Sequence, residues 1–243
     1  MTDLDTANTF TFERVLFFGR TLKEYEEMFN FSANDLKGFK ILDCPSGPAS
    51  FVAQANKYNV DAIGVDPLYE NTFSSLKEIV SRDLNDCCDL QVQVKDLAKN
   101  KRNMEIYRKE KDKAINFFLD DFDLGFQNKR YLPYRLPHLP FNDNEFDMVL
   151  SSNFLFLYSD YKFGGMMTNS PFDLDFHIKA VIELLRVSKS KLMIYPIRGP
   201  YTDNHEFLPA VLENLKNVEV NYFKTNYVDL FGCDQVLQIT KHI

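Results

Sequence analysis

The sequence contains no C-x-x-C pair, and none of its four histidines stands at zinc-finger spacing from any of its four cysteines, Cys44, Cys87, Cys88 and Cys233. No metal site is expected from such a pattern. Adjacent Cys87 and Cys88 cannot readily bridge each other, so all four thiols are expected to be free, as in a reducing cytosol. Long apolar runs are also missing: residues 182–193 are interrupted by Glu183, Arg186 and Lys189, whereas a bilayer span needs about 20 apolar residues. The first residues carry Asp3 and Asp5 and lack a basic region followed by an apolar run, so no secretory signal is read there and a cytoplasmic protein is expected. Positive charge is scarce, with 28 Lys and Arg against 35 Asp and Glu and a formal net charge of -7. That balance disfavours a broad nucleic-acid or anionic-membrane surface. Internal repeats and low-complexity tracts are absent too.

What is present is a chain of 243 residues, 45% hydrophobic and 14% aromatic, long enough for one substantial core and read as a single domain over 1–243. From Phe10 to Phe31 the apolar residues recur at helical spacing, with Leu22, Tyr25, Met28 and Phe29 on one face and Thr21 as a cap. This gives an N-terminal helical segment within 1–38. Phe39 to Cys44 then reads as a strand, followed by a Pro/Gly-rich loop and a helix over Ala49 to Tyr58. Val60 to Val65 is a second strand and Phe73 to Leu84 a second helix. Strands separated by helices point to a parallel sheet.

Residues 86–130 interrupt the alternation and are read as a helical cap insertion, with an amphipathic helix from Asn103 to Phe122. Within it Lys99, Lys101, Arg102, Arg108, Lys109, Lys111 and Lys113 are interleaved with acidic residues, which reads as a solvated helix face rather than an RNA groove. Strands are expected again at Tyr131 to Tyr134, Phe146 to Ser151 and Lys191 to Ile197, with helices at Phe176 to Val187 and Glu206 to Leu215. The closing runs Val218 to Tyr227 and Gln235 to Thr240 have no helix between them and must pair antiparallel, or nearly so, at the sheet edge. The expected fold is α/β: a Rossmann-like, mostly parallel seven-stranded sheet with helices on both faces and a C-terminal antiparallel hairpin.

Two segments carry a resemblance. Ile41-Leu42-Asp43-Cys44-Pro45-Ser46-Gly47-Pro48-Ala49 resembles the first motif of class I S-adenosylmethionine (SAM)-dependent methyltransferases, and its D-C-P-x-G-P loop resembles that of an uncharacterised bacterial branch of the family. Leu139-Pro140-Phe141-Asn142-Asp143-Asn144-Glu145-Phe146-Asp147-Met148-Val149 resembles the L-P-F-x-D-x-x-F-D-x-V segment of small-molecule methyltransferases. The resemblance implies a SAM pocket formed by Asp43, Cys44, Pro45 and Gly47 after the first strand, Asp66 and Pro67 after the second, Leu136 and Pro137 at the adenine, and Ser152 and Asn153 after the fourth. Asp43 would meet the amino end of the cofactor. Gly47 would let backbone approach it closely, and Asp66 would accept from both ribose hydroxyls. Asp66 has a second reading, as a turn cap ahead of Pro67. Pro45 and Ala49 replace glycines common in the family, and Arg135 replaces an acidic residue.

Methyl transfer is an in-line displacement that leans on positioning, so no fixed catalytic signature is required. For a hydroxyl or ammonium acceptor a base is needed, and Tyr158, Asp160 and His177 are the candidates; their alternatives are a packed aromatic, a loop or cap residue, and an exposed position on the Phe176 to Val187 helix. Arg20 and Tyr25 are candidates to close over cofactor or acceptor. The expected partner is a small-molecule methyl acceptor, and the sequence leaves the oligomeric state open. Competing readings are a methyltransferase-like binding module without catalysis, suggested by Pro45, Ala49 and Arg135; an RNA methyltransferase; and an NAD-dependent oxidoreductase, against which the first loop lacks G-x-G-x-x-G.

Overall fold

A computed structural model of the chain describes residues 11–93, 103–200, 202–227, 229 and 232–242. Seven strands form one sheet: β1 (Lys40–Asp43), β2 (Asp61–Val65), β3 (Tyr131–Leu132), β4 (Phe146–Ser152), β5 (Ser188–Tyr195), β6 (Val218–Lys224) and β7 (Gln235–Lys241). Their order is β3-β2-β1-β4-β5-β7-β6. The first five are parallel, and β7 inserts antiparallel between β5 and β6. Ile41, Leu42, Val149, Leu150, Leu192 and Ile194 are all fully buried, as central parallel strands covered on both faces must be. The α/β plan expected from the sequence is therefore observed.

Six helices accompany the sheet among the described residues: α1 (Leu22–Phe29), α2 (Phe51–Ala55), α3 (Phe73–Gln93), α4 (Met104–Gln127), α5 (Leu174–Val187) and α6 (Phe207–Glu213). α1 packs on α2, and α4 on both α2 and α3, while α5 packs against α6, β4 and β5. α1 begins at Leu22 rather than at Phe10, because Thr21 and Glu24 form a reciprocal capping box that fixes the start. The preceding residues make long-range bonds that a helix would forbid. Phe12 N donates to Met166 O at 2.9 Å and Phe17 N to Asp83 Oδ2 at 2.7 Å. Residues 11–20 are thus an irregular strap laid across the molecule, and the helical period of their apolar residues reflects packing alone.

In the region 86–130, α3 continues to Gln93, residues 94–102 with Lys99, Lys101 and Arg102 lie outside the described residues, and α4 is part of the core. Tyr107, Lys111, Ala114, Ile115, Phe118, Phe122 and Gly125 form its buried stripe. Lys111 corrects the expectation of a wholly solvated basic face. It is fully buried and ion-paired with Glu24, because it falls four residues from both Tyr107 and Ile115 on the inward side.

Gly125 is where α4 meets β3. A Cβ there would lie 2.4 Å from Cε2 of Tyr131. The Tyr131 ring cannot give way, since it is fully buried, donates its hydroxyl to Asp121 Oδ2 at 2.9 Å and has the Phe118 ring centroid 5.4 Å away. Gly125→Ala should therefore lower unfolding free energy by about 1–3 kcal/mol, read as a reduced urea midpoint at unchanged slope.

Candidate ligand cavity at the strand ends

The carboxyl ends of β1, β2 and β4 converge on one cavity, the position at which open α/β sheets bind ligands. Its floor is the loop after β1. Cys44–Pro45 is a cis peptide, and Gly47 has φ +55°, a left-handed conformation that glycine adopts without penalty. The loop is pinned by Ser46 N donating to Val65 O at 2.9 Å and by the Tyr69 hydroxyl donating to Gly47 O at 2.5 Å. The strap forms the roof, with Phe12, Leu16, Phe18 and Arg20 facing the cavity.

Asp66 borders the cavity and also caps the turn at 67–70, the second of its two sequence readings. Its Oδ1 accepts from Leu68 N at 2.9 Å and its Oδ2 from Gly47 N at 3.2 Å. Burial pushes this carboxyl up to about 6, against those two amides. Asp43, at the end of β1, is fully buried and does not itself line the cavity. It is reached through Tyr25, whose hydroxyl donates to Asp43 Oδ2 at 2.8 Å. This leaves the Ser152 hydroxyl, 2.9 Å away, to donate to Tyr25. Tyr25 and Ser152 both line the cavity. Burial pushes the Asp43 carboxyl up to about 7, opposed by the hydroxyls of Ser46 and Tyr25 and reinforced by the charge of Asp66. Ser46 weighs on Asp43 by proximity, yet Asp43 Oδ1 and Ser46 Oγ are buried without a hydrogen bond of good geometry. Orphaned buried polar atoms of this kind call for a partner.

Of the residues singled out from the sequence, Arg20, Tyr25, Pro45, Gly47, Asp66, Ser152, Asn153 and Tyr158 line the cavity together. Cys44 is buried behind it, with its amide donating to Leu150 O at 2.9 Å, and Pro67 only starts the capped turn. Leu136 and Pro137 do not line it. β3 ends at Leu132, whose carbonyl accepts from Asp66 N at 3.2 Å, and the chain has turned away by the cis Leu136–Pro137 bond. Arg135 instead lies 3.9 Å from Glu70 at the surface.

Two of the three candidate bases lie elsewhere. Asp160 caps the turn at 161–163, accepting from Lys162 N at 3.0 Å and Asn169 N at 2.9 Å. His177 is buried, not exposed; its Nδ1 meets Asp173 O at 2.7 Å and its Nε2 accepts from Phe156 N at 3.2 Å. Burial lowers its pKa and keeps it the neutral acceptor that this pairing requires. Tyr158 does line the cavity. Its hydroxyl accepts from Leu16 N at 3.3 Å, and burial raises its pKa, so it stays protonated and serves to hold the strap.

The cavity also includes residues that the sequence did not flag: Phe18 of the strap, Cys87 of α3, Tyr107 of α4, and Tyr227 and Asp229 between β6 and β7. Tyr107 falls within the helix expected from Asn103 to Phe122 and Tyr227 at the end of the run Val218 to Tyr227, and neither pattern marks a cavity residue. Among the described residues, no helix is long and apolar enough to cross a membrane.

No protein-family model matches the chain. It is similar to an uncharacterized protein of the archaeon Methanocaldococcus jannaschii, 28% identical over 229 residues that cover 92% of this chain and 95% of the relative. Among solved structures it resembles a putative SAM-dependent methyltransferase from Methanococcus maripaludis, with 14% identity, a TM-score of 0.46 and coverage of 90% of this chain and 82% of that one. It also resembles magnesium protoporphyrin IX methyltransferase from Synechocystis PCC 6803 with bound SAM, with 12% identity, a TM-score of 0.42 and coverage of 86% and 72%.

Proposed function

We propose that the chain is a SAM-dependent methyltransferase that acts on a small molecule by in-line methyl transfer. The observation that carries this reading is the convergence of Asp66, Gly47 and the Tyr25–Asp43–Ser152 group on one cavity at the strand ends of a parallel sheet closed by an antiparallel β7. The residues fit the cofactor on chemical grounds. Asp66 is a carboxylate at the end of β2 able to accept from vicinal ribose hydroxyls. The orphaned Ser46 oxygen and the Tyr25 hydroxyl, which is backed by the Asp43 carboxyl, suit the ammonium of an amino-acid group. Bound there, SAM would supply an electrophilic methyl group on a sulfonium.

The chain's own contribution is binding, orientation and exclusion of water. The strap covers the site, and Phe12, Leu16, Phe154, Leu157, Tyr158 and Met166 give the acceptor side an apolar wall. Such a wall favours a small acceptor held near the methyl group, where proximity supplies much of the acceleration. Asp160 and His177 are not proposed as bases.

Isothermal titration with S-adenosylhomocysteine tests the reading, and absence of binding to the folded wild type would defeat it. Asp66→Ala should weaken binding on the order of 10-fold or more, given the strength of charge-assisted hydrogen bonds, with the circular-dichroism spectrum unchanged.

A second prediction concerns pH. An ionised Asp43 behind Tyr25 favours a cation in the cavity, and its carboxyl is pushed up to about 7. Affinity should therefore rise between pH 6 and pH 8, with uptake of the ligand releasing protons at the lower pH. Without ligand the sign is opposite. The folded chain retains protons that the unfolded chain, with Asp near 3.8, has lost, so stability falls as pH rises from about 4 to about 7. Asp43→Asn should flatten both trends in titrations and urea melts across that range.

A further inference from the structure

The geometry points to Tyr158 as the residue that recognises the methyl acceptor, its phenolic proton going to an uncharged oxygen on an otherwise apolar, ring-bearing molecule. That the molecule is a methyl acceptor rests on the methyltransferase reading proposed above, whereas the contact with Tyr158 rests on the cavity alone.

Tyr158 stands in the loop after β4, borders the cavity and is only 7% exposed. Its place is set by backbone contacts, since Tyr158 N donates to Phe154 O at 3.0 Å and Tyr158 O accepts from Ser170 Oγ at 2.6 Å. A phenol oxygen carries one proton and can also accept. Here it accepts from Leu16 N of the strap at 3.3 Å, and among the described residues nothing accepts its proton in return. Other hydroxyls of the cavity have theirs placed: Tyr25 donates to Asp43 Oδ2, and Ser152 to Tyr25. Burial raises the Tyr158 pKa, so the proton stays on the oxygen. The Leu16 amide on that oxygen makes the proton a stronger donor. A buried hydroxyl donor without an acceptor is costly, and an oxygen brought in by a ligand removes the cost.

The surroundings of that hydroxyl set the rest of the ligand. Phe12, Leu16 and Met166 form with Tyr158 a buried apolar cluster separate from the main core, and Phe154 and Leu157 pack against it. All of these side chains also line the cavity, and none of Phe12, Leu16, Phe154, Leu157 and Met166 carries charge. The Phe154 ring is held edge-on by Phe172 and Phe176, with centroids 5.0 and 6.2 Å away, and lies 6.2 Å from the Tyr158 ring. Rings fixed in this way favour a further ring packed edge-on or offset against them. A charged body would lose its hydration against these side chains and gain no partner among them. A ring bearing one neutral oxygen leaves nothing unpaired. Apolar pockets take their selectivity from a few placed polar groups of this kind.

The test titrates wild type and Tyr158→Phe by NMR with acetophenone and with α-methylstyrene, which has a CH2 group in place of the carbonyl oxygen, each with and without S-adenosylhomocysteine. The preference for acetophenone should fall about 3- to 10-fold in Tyr158→Phe, with α-methylstyrene held within about twofold of its wild-type affinity. A general disturbance of the strap weakens both compounds together and leaves the preference unchanged, which overturns the inference. Wild type that binds neither compound, or that binds benzoate or benzylamine more tightly than acetophenone, overturns it too. S-adenosylhomocysteine binding beside an unchanged preference leaves the methyltransferase reading intact. A preference lost in Tyr158→Phe, in a protein whose wild type does not bind S-adenosylhomocysteine, defeats that reading and upholds the Tyr158 contact. If Tyr158→Phe does not fold, infrared spectra of acetophenone bound to wild type decide: a carbonyl stretch below its value in hexane supports the inference, and an unshifted one overturns it.

Discussion

The carboxylate of Glu24 sets the geometry on which the cavity depends. One oxygen closes the capping box that starts α1, and the other holds Lys111 of α4 in a buried pair. The first contact decides where the strap ends and the helix begins, and so where Arg20 and Tyr25 stand. The second binds that junction to a helix distant in sequence. Lys111 is enclosed by the Phe18 and Tyr107 rings, 5.4 and 5.1 Å from their centroids, so water cannot easily replace Glu24 as its partner. A pair of this kind specifies one arrangement because either member left alone is a buried charge.

A second organising fact is the distribution of polar groups beneath that junction. Two carboxyl groups stand at the ends of adjacent strands, and burial pushes both above the usual carboxylate range. The hydroxyls of Tyr25 and Ser152 connect Asp43 to the cavity, while the loop amides satisfy Asp66. Stability alone gives no reason for such an arrangement, and buried polar sites with unpartnered atoms in an otherwise well-packed core are where function is sought.

The sheet was legible in the sequence because its strands are short apolar runs separated by helical periods, and Asp43, Gly47 and Asp66 follow from where those runs end. The antiparallel close was legible from the missing helix between the last two runs. Other features were hidden for physical reasons. Lys111 reads as a surface charge unless its place on the inward stripe of α4 is noticed and a partner on α1 is known. The displacement of Leu136 and Pro137 follows from a β3 of only two residues, too short for its end to be fixed by pattern. His177 reads from the sequence as a candidate base or an exposed helix position, yet it is buried and supports Phe156 N across an interval of 21 residues. Tyr227 closes the alternating run Val218 to Tyr227, but β6 ends at Lys224, so Tyr227 and Asp229 reach the cavity from the connection beyond it.

The strap across the cavity mouth is secured along its length, by Phe12 to Met166 and Thr168, by Leu16 to Tyr158 and by Phe17 to Asp83. Asp83 and Thr168 do not border the cavity, yet they fix where its roof stands. The shape that a bound molecule meets therefore depends on residues it never touches.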